Sequence, residues 1–413
     1  MTLVEFFDRD SLENICSCAA ARADRVILIG GDRQTAERCI AGYRKIFAAR
    51  QTDVAFEYVS VDRRRLSRMT QTITRIVQAY PDCVFDLTGG DDLCLVAVGM
   101  VFAKNPRLRL HRFSLQNDRI YEFDAEGDVH AESAAPQLTV DEVAQAYGGD
   151  VCFDSETADG THIWDLNDDF RRDILTMSDF LWGRNAAQWN RQISYFKMMH
   201  EVGASADPLR VSADLNRIRA LSGSKQYEGA ALIPEVTEPL EQAGLAAVSV
   251  SENAVTVAFK NRQIMRCLIK EGQALELVVY LLATEAQRDG APVYNDVQTG
   301  VYIDWDGALK GGGETDVHNE IDVMMTRGMI PVFVSCKNGA VDIDELYKLD
   351  AVATRFGGKY AKRVLVATSL RFRSNRDAIR QRALNMNIRL IEPNSLQELQ
   401  QEIEQADCLF PAD

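Results

Sequence analysis

Six residues in the last third of the chain have the types and spacing for chemistry on a phosphodiester. Five of them, Glu320, Asp322, Ser335, Cys336 and Lys337, fall within EIDVMMTRGMIPVFVSCK, and Glu276 lies upstream in ALELVVYLL. Strand alternation puts Glu320 and Asp322 on one face of EIDV. In IPVFVSCK it puts Phe333, Ser335 and Lys337 on one face and Val332, Val334 and Cys336 on the other. If the two strands pair, a carboxylate and an ammonium project together at a strand end. Glu276 interrupts an apolar helix, where a carboxylate buried without a partner costs several kcal/mol. A divalent cation would serve as that partner. Carboxylates that hold Mg²⁺ or Mn²⁺ polarise a phosphoryl oxygen and acidify a water. A lysine beside the metal stabilises the developing charge, and the backbone carbonyl of Cys336 can complete the coordination. The bland alternative is a surface salt bridge between Lys337 and Asp322. His318, just before the acids, is given no role.

The elements that must carry these residues read in the order α-β-β-β-α-β-α-β-α: EGQALELVVYLLATEAQ, GVYIDWD, EIDVMMTR, IPVFVSCK, IDELYKLDAVATRF, RVLVATS, NRDAIRQRALNM, IRLIE and SLQELQQEIEQ. The amino-terminal part alternates buried strands (RVILIGG, VAFEYVSVD, CVFDLTGG) with helices, which implies a parallel, doubly wound α/β sheet. RLRLHRFSL and RIYEF follow as a hairpin around Asn117-Asp118. The middle has a short helix over 138–147, long helical periodicity over 169–202, a helix near 209–221, and then a helix and a hairpin around Glu252-Asn253. A helix followed by a two-stranded wing is winged-helix-like.

The 413 residues suffice for two or three domains. No apolar run reaches the length needed to cross a bilayer, and the first residues lack the basic flank of a signal peptide. Nine cysteines without framework spacing point to reduced thiols. A cytoplasmic protein with no membrane partner is expected. The net charge of −15 repels nucleic acid. From Arg355 to Arg389, however, ten Lys or Arg stand against one acid, Asp377, a candidate phosphate-facing surface or else a solvated helix face.

RVILIGGDRQ and VFDLTGGDD are both buried strands that end in Gly-Gly and feed a helix. Ligands of open α/β sheets bind outside the carboxyl ends of strands. Gly30, Gly31, Asp32, Arg33, Gln34, Thr88, Gly89, Gly90 and Asp91 are therefore expected to line one crevice. Neither loop is GxGxxG and no GK[ST] is present, so NAD and ATP are unsupported. The alternative is that the glycines only make tight turns.

Glu276 on its helix, then Glu320-Ile321-Asp322, then Ser335-Cys336-Lys337, in that element order, resembles the PD-(D/E)XK nuclease core. The resemblance implies Glu276, Asp322 and Lys337 as catalytic residues, assisted by Glu320 and Ser335. Glu276, Asp322 and Cys336 would hold Mn²⁺ or Mg²⁺. Ser335 stands where that family usually has Asp or Glu. Four consequences stay open: Ser335 holds a metal-bound water, Glu320 compensates, metal affinity falls, or activity is lost. The amino-terminal part, through TGG at Thr88–Gly90, resembles the CARF domain, the Rossmann-like sensor of CRISPR-associated proteins. The combination is similar to type III CRISPR ancillary nucleases activated by cyclic oligoadenylates. It implies a homodimer that binds cyclic tetra-adenylate, or hexa-adenylate, and then cleaves DNA or RNA. The expected domains are a sensor over 1–145, a helical and winged-helix-like connector over 146–262 and a nuclease over 263–413. Two other functions fit the same residues: a constitutive repair or junction nuclease, and a non-enzymatic sensor with a decayed nuclease core.

Overall fold

The structure is a computed structural model. It describes the chain except residues 8, 9, 106, 115–118, 125, 153–163, 184, 205, 206, 223, 228, 306–317, 371–373 and 408–413. The first sheet comprises β1 (Thr2–Phe6), β2 (Arg25–Gly30), β3 (Ala55–Ser60), β4 (Val84–Asp86), β5 (Arg109–Ser114), β6 (Arg119–Phe123) and β7 (Val129–Ala134), in the order β3-β2-β1-β4-β5-β6-β7. Strands β1 to β5 run parallel, and β6 and β7 add antiparallel. Helices α1 (Ser11–Ala21) and α2 (Arg33–Ala49) pack on one face, α3 (Leu66–Ala79) and α4 (Asp92–Phe102) on the other.

Three of these elements were not legible in the sequence. In β1 the acid Glu5 breaks the apolar pattern, yet it is buried and accepts from Asn14 of α1 at 3.2 Å. Helix α1 was passed over with it. Strand β7 is exposed throughout and has no apolar face to read. The hairpin of β5 and β6 forms as expected, while its turn at Asn117-Asp118 lies outside the described residues.

The middle holds α5 (Val140–Ala146), β8 (Asp150–Cys152), α6 (Asp168–Ser178), α7 (Asn185–Val202), β9 (Arg210–Asp214), α8 (Leu215–Leu221), α9 (Pro234–Gln242), β10 (Ala246–Val250), β11 (Ala254–Phe259) and α10 (Arg262–Ile269). From α7 to β11 the order is α-β-α-α-β-β, with β10-β11-β9 as a small antiparallel sheet. The single helix expected over 169–202 is two helices, separated by a turn in which Gly183 takes φ +60°. The helix expected from 209 begins only at Leu215. Asp214 caps it by accepting from the Arg217 amide at 2.8 Å, and the residues before it form β9.

The last part holds α11 (Gln273–Glu285), β12 (Gln287–Arg288), β13 (Ala291–Pro292), β14 (Asp296–Asp304), β15 (His318–Arg327), β16 (Ile330–Lys337), α12 (Ile343–Gly357), β17 (Lys362–Ala367), α13 (Arg376–Asn385), β18 (Ile388–Ile391) and α14 (Leu396–Ile403). Its sheet runs β18-β17-β16-β15-β14-β8, so β8, which directly follows the amino-terminal part in sequence, is an edge strand of the carboxyl-terminal sheet.

Two buried clusters bind these parts together. One runs from Leu3 and Leu28 through α1, α2 and α5 to Met324, Phe333 and Phe356. The other joins Val323 and Val334, α11 and the Trp189 and Phe196 side chains of α7. At about 1.5–3 kcal/mol per fully buried large side chain, the parts form a continuous packed body rather than beads on a linker. Among the described residues no helix is long and apolar enough to cross a membrane, and the cysteines there are all buried and outside any disulfide.

Candidate active site and sensor crevice

The start of α11, the middle of β15 and the end of β16 meet around a cavity of about 320 Å³ whose lining includes Glu276, Asp322, Cys336 and Lys337. Helix α11 starts at Gly272, and its first turn carries Glu276, a favourable place for a carboxylate. Gln273 Nε2 donates to Glu276 Oε2 at 3.0 Å. Asp322 Oδ2 accepts from the Cys336 amide at 2.6 Å and from Ser335 Oγ at 3.2 Å. The backbone of β16 thus orients the acid of β15. Lys337, the last residue of β16, sits 3.1 Å from Glu345 Oε2 of α12. Glu320 does not line the cavity: its Oε1 lies 3.1 Å from Lys270 Nζ.

Burial, and then the charge of Asp322, push Glu276 up to about 8. Burial also raises Asp322, against the pull of the Cys336 amide and Lys337. Both lysines are raised. Burial works against the charge of Lys270, but Glu276 and Glu320 outweigh it, and Asp322 and Glu345 do the same for Lys337. Two half-paired acids around one cavity cannot both ionise cheaply without a cation between them. The donors are oxygens, which suits a hard divalent ion that keeps several waters. The Cys336 thiol is buried and its pKa is pushed up by burial, so only its carbonyl could serve. No cluster of three or more His, Cys, Asp or Glu suited to a metal occurs among the described residues. Glu276 and Asp322 are the inner carboxylates of the cavity, whose lining also includes Glu271. Ser335 adds no carboxylate; its hydroxyl donates a hydrogen bond to Asp322.

At the amino end, Gly31, Asp32, Phe7, Asp10, Arg63 and Lys359 line a crevice of about 520 Å³. Asp32 caps α2, accepting from the Thr35 amide at 3.1 Å. Arg33 lies over the Tyr58 ring, 5.2 Å from its centre, and 3.1 Å from Glu37. Gly30 is buried and Gln34 exposed. The second glycine loop, Thr88 to Asp91, does not line this crevice. Thr88 Oγ1 donates to Asp86 at 2.5 Å and accepts from the Phe113 amide at 2.7 Å. Gly89 is buried. Asp91 caps α4, and its Oδ2 lies 3.5 Å from Arg63. Arg63 is thus the link between the two loops.

Residues 262–409 match the family model of the Card1-like endonuclease domain. That segment, about a third of the chain, is similar to the Card1-like endonuclease domain. Along the whole chain the fold is similar to protein VC1899 from Vibrio cholerae, with 17% identity, a TM-score of 0.74 and 99% of each chain covered. It is also similar to Can2 from Sulfobacillus thermosulfidooxidans, solved in complex with cyclic tetra-adenylate, with 17% identity, a TM-score of 0.67 and 98% of this chain and 99% of that one covered. No curated protein matches the sequence. The mixed α/β fold, with its Rossmann-like first sheet, is thus shared with these two structures over nearly the whole chain.

The cavity of this segment contains residues that local pattern did not single out. Asn190 of α7 reaches in from the connector and donates to the Asn338 carbonyl, while Asn338 Nδ2 returns a bond of 3.0 Å to Asn190 Oδ1. Lys270, Gln273 and Glu345 hold the charged residues. Only Gln273 has a local signal, its three-residue spacing from Glu276 on a helix. The basic segment of the domain is a correction. Arg363 pairs with Asp350 at 2.8 Å, Arg376 with Glu392 at 3.0 Å and Arg389 with Glu402 at 2.6 Å. Arg380 pairs with Glu392, and Arg355 donates to the Tyr147 carbonyl at 2.9 Å. These cations are engaged with carboxylates and carbonyls from other parts of the chain and do not form an open phosphate-facing surface. Arg371 and Arg373 lie outside the described residues.

Proposed function

We propose that the protein is a metal-dependent endonuclease of type III CRISPR defence, activated by a cyclic oligoadenylate, and that it works as a homodimer on DNA or RNA. The observation that carries this reading is the convergence of Glu276, Asp322 and Lys337 on one cavity inside a Card1-like endonuclease domain. The fold likeness to Can2, whose structure holds cyclic tetra-adenylate, supports a ring-nucleotide ligand for the amino-terminal sensor. Helix α4 supports the homodimer. It is apolar on its buried side, yet Leu93, Leu95, Val96 and Met100 are each at least 39% exposed on the other. A helix apolar all round is normally covered, and a second copy placing α4 on α4 would cover it.

In the mechanism, Glu276 and Asp322 would hold Mn²⁺ or Mg²⁺ with the Cys336 carbonyl. The bound ion would polarise the phosphoryl group and acidify water. The Cys336 amide and Ser335 hydroxyl fix the orientation of Asp322. The Lys337 ammonium, kept protonated by neighbouring acids, stabilises charge on the phosphate oxygens as it develops. Ligand acts by binding the active arrangement better than the resting one.

The test is cleavage of single-stranded DNA, single-stranded RNA and supercoiled plasmid with Mn²⁺ or Mg²⁺, each with and without cyclic tetra- and hexa-adenylate. Cleavage with a ring nucleotide alone is expected. Equal cleavage without it would make the enzyme constitutive, and ring binding without any cleavage would make it a regulator with a decayed site.

A further inference from the structure

We propose that Glu345 is a positioning residue that holds the Lys337 ammonium aside in the ligand-free chain, and that α12 ties its release to the sensor crevice. The proposal rests on the endonuclease reading above. It is carried by two sets of contacts at opposite ends of one helix.

At the amino end of α12, Glu345 Oε2 lies 3.1 Å from Lys337 Nζ, and Glu345 Oε1 lies 3.3 Å from Lys348. Lys337 is drawn toward the helix by one acid and toward the cavity by Asp322, the two principal charges that raise its pKa. An exposed ion pair of this kind is worth little. These side chains are only 30% and 24% exposed and flank a cavity with a defined geometry, so the pairing decides where the ammonium points.

At the carboxyl end, α12 runs into Gly357, Gly358 and a short turn. Gly358 has φ +53°, and a Cβ there would fall 2.1 Å from Asp10 Oδ1 and 2.6 Å from Tyr147 Oη. Glycine alone allows the turn to approach the sensor so closely. The Lys359 amide donates to Asp10 Oδ1 at 3.1 Å, Lys359 Nζ lies 3.1 Å from Glu13 Oε1, and the Tyr360 hydroxyl donates to Glu13. Glu13 is buried, 7% exposed. Asp10 and Lys359 line the same crevice as Gly31 and Asp32. An anionic ligand entering there meets the carboxylates of Asp10 and Asp32 and two cations: Arg63, beside Asp91, and Lys359, beside Asp10 and Glu13. Binding favours turning Lys359 from those acids to the ligand.

Between these ends α12 is a single packed rod of 15 residues, about 21 Å long at 1.5 Å per residue. Leu346, Leu349, Val352 and Phe356 are buried along it. A shift at Gly358 and Lys359 is therefore transmitted to Glu345 rather than absorbed. It is a contiguous element with one end at each site; coupling further requires two arrangements that both sites bias, and the ligand dependence of Lys337 labelling measures them.

The experiment compares wild type, Glu345→Gln and Lys359→Gln, with cyclic tetra-adenylate absent and present. One readout is cleavage with Mn²⁺. The other is acylation of Lys337 by an amine-reactive ester in metal-free protein, measured by peptide mass. In wild type the ring nucleotide should raise Lys337 labelling about threefold, the scale of losing one partly screened ion pair. Glu345→Gln should label at that higher rate without ring nucleotide and should cleave about tenfold faster than wild type in its absence, a gain of about 1.4 kcal/mol. Lys359→Gln should move both readouts in the same direction. A Glu345→Gln variant, folded by its melting temperature, that labels and cleaves like wild type without ligand overturns the proposal, as does a Lys359→Gln variant that behaves like wild type. If wild type cleaves nothing under any condition the endonuclease reading falls, and the labelling alone then decides whether Glu345 restrains Lys337.

Discussion

The endonuclease cavity and the sensor crevice handle charge in opposite ways. In the cavity, the buried Glu276 and the half-buried Asp322 are lifted in pKa and are aimed by a backbone amide and by neighbouring side chains at a shared space. In the crevice, Asp32 and its neighbours cap a helix and pair with one another at partly exposed positions. The first arrangement is costly unless something binds, so it points to a ligand by its energetics. The second is comfortable when empty and points to a ligand only by its position at the strand ends of an open sheet.

The sharpest break in this contrast is Asp322→Asn. The amide oxygen can still accept from the Cys336 amide, so the fold should hold, while cleavage should fall about a thousandfold or more with loss of the buried charge. Cleavage within tenfold of wild type would place the catalytic centre elsewhere. The crevice should answer to bulk rather than to charge. At Gly31 a Cβ would meet only the Val61 carbonyl oxygen, at 3.9 Å. Gly31→Leu should therefore leave the melting temperature nearly unchanged while weakening cyclic tetra-adenylate binding about tenfold, measured by calorimetry. Gly90, at φ +96° with a Cβ 2.9 Å from that of Cys94, should instead lose about 1–3 kcal/mol of stability on the same substitution. Equal ligand affinity in wild type and Gly31→Leu would remove this crevice from the sensor.

The contrast also explains what the sequence disclosed. The convergence of Glu276, Asp322 and Lys337 on one cavity was legible because a carboxylate in an apolar helix and charged residues within core strands violate local pattern. Glu345, Lys270 and Asn190 violate nothing locally. They are ordinary polar residues whose importance comes from contacts distant in the chain. The glycine loops were legible as turns, but whether Thr88 faces a ligand or the Phe113 amide depends on β5, which composition does not reveal. The run from Arg355 to Arg389 misled for the same reason: counting cations along the chain omits Glu392 and Glu402, which lie just beyond it in sequence and beside it in space.

A smaller effect should appear in stability. Glu276 titrates in the folded chain at about 8, above its unfolded value. Below the unfolded value it is neutral in both states and has no influence. As pH rises from there toward 8, the unfolded chain ionises first, so the metal-free protein should lose up to roughly 1.4 kcal/mol per pH unit from this group. Mn²⁺ should offset that loss, because it favours the ionised form. The rise in melting temperature on adding Mn²⁺ should therefore be larger at pH 8 than at pH 6, and Glu276→Gln should flatten the difference. A Mn²⁺ effect equal at both pH values would mean that Glu276 is not a ligand.

The smallest effect tests whether the connector belongs to the catalytic cavity or merely leans on it. Asn190 donates to the Asn338 carbonyl and accepts from Asn338 Nδ2, and Asn338 Oδ1 in turn accepts from Thr368 Oγ1 at 2.5 Å. This chain of bonds fixes the residue after Lys337 from two sides. Asn190→Ala removes one side and leaves Asn338, only 7% exposed, short of partners. The remaining bond from Thr368 and the β16–β17 pairing at Lys337 keep the strand in place. The loss should be about 0.6–1.4 kcal/mol, felt as a drop of about three- to tenfold in kcat with KM little changed, because the misplaced group acts in the transition state. A drop confined to KM would assign Asn190 to substrate contact instead. No drop in either would separate the connector from the chemistry and leave α12 as the route by which the rest of the chain reaches Lys337.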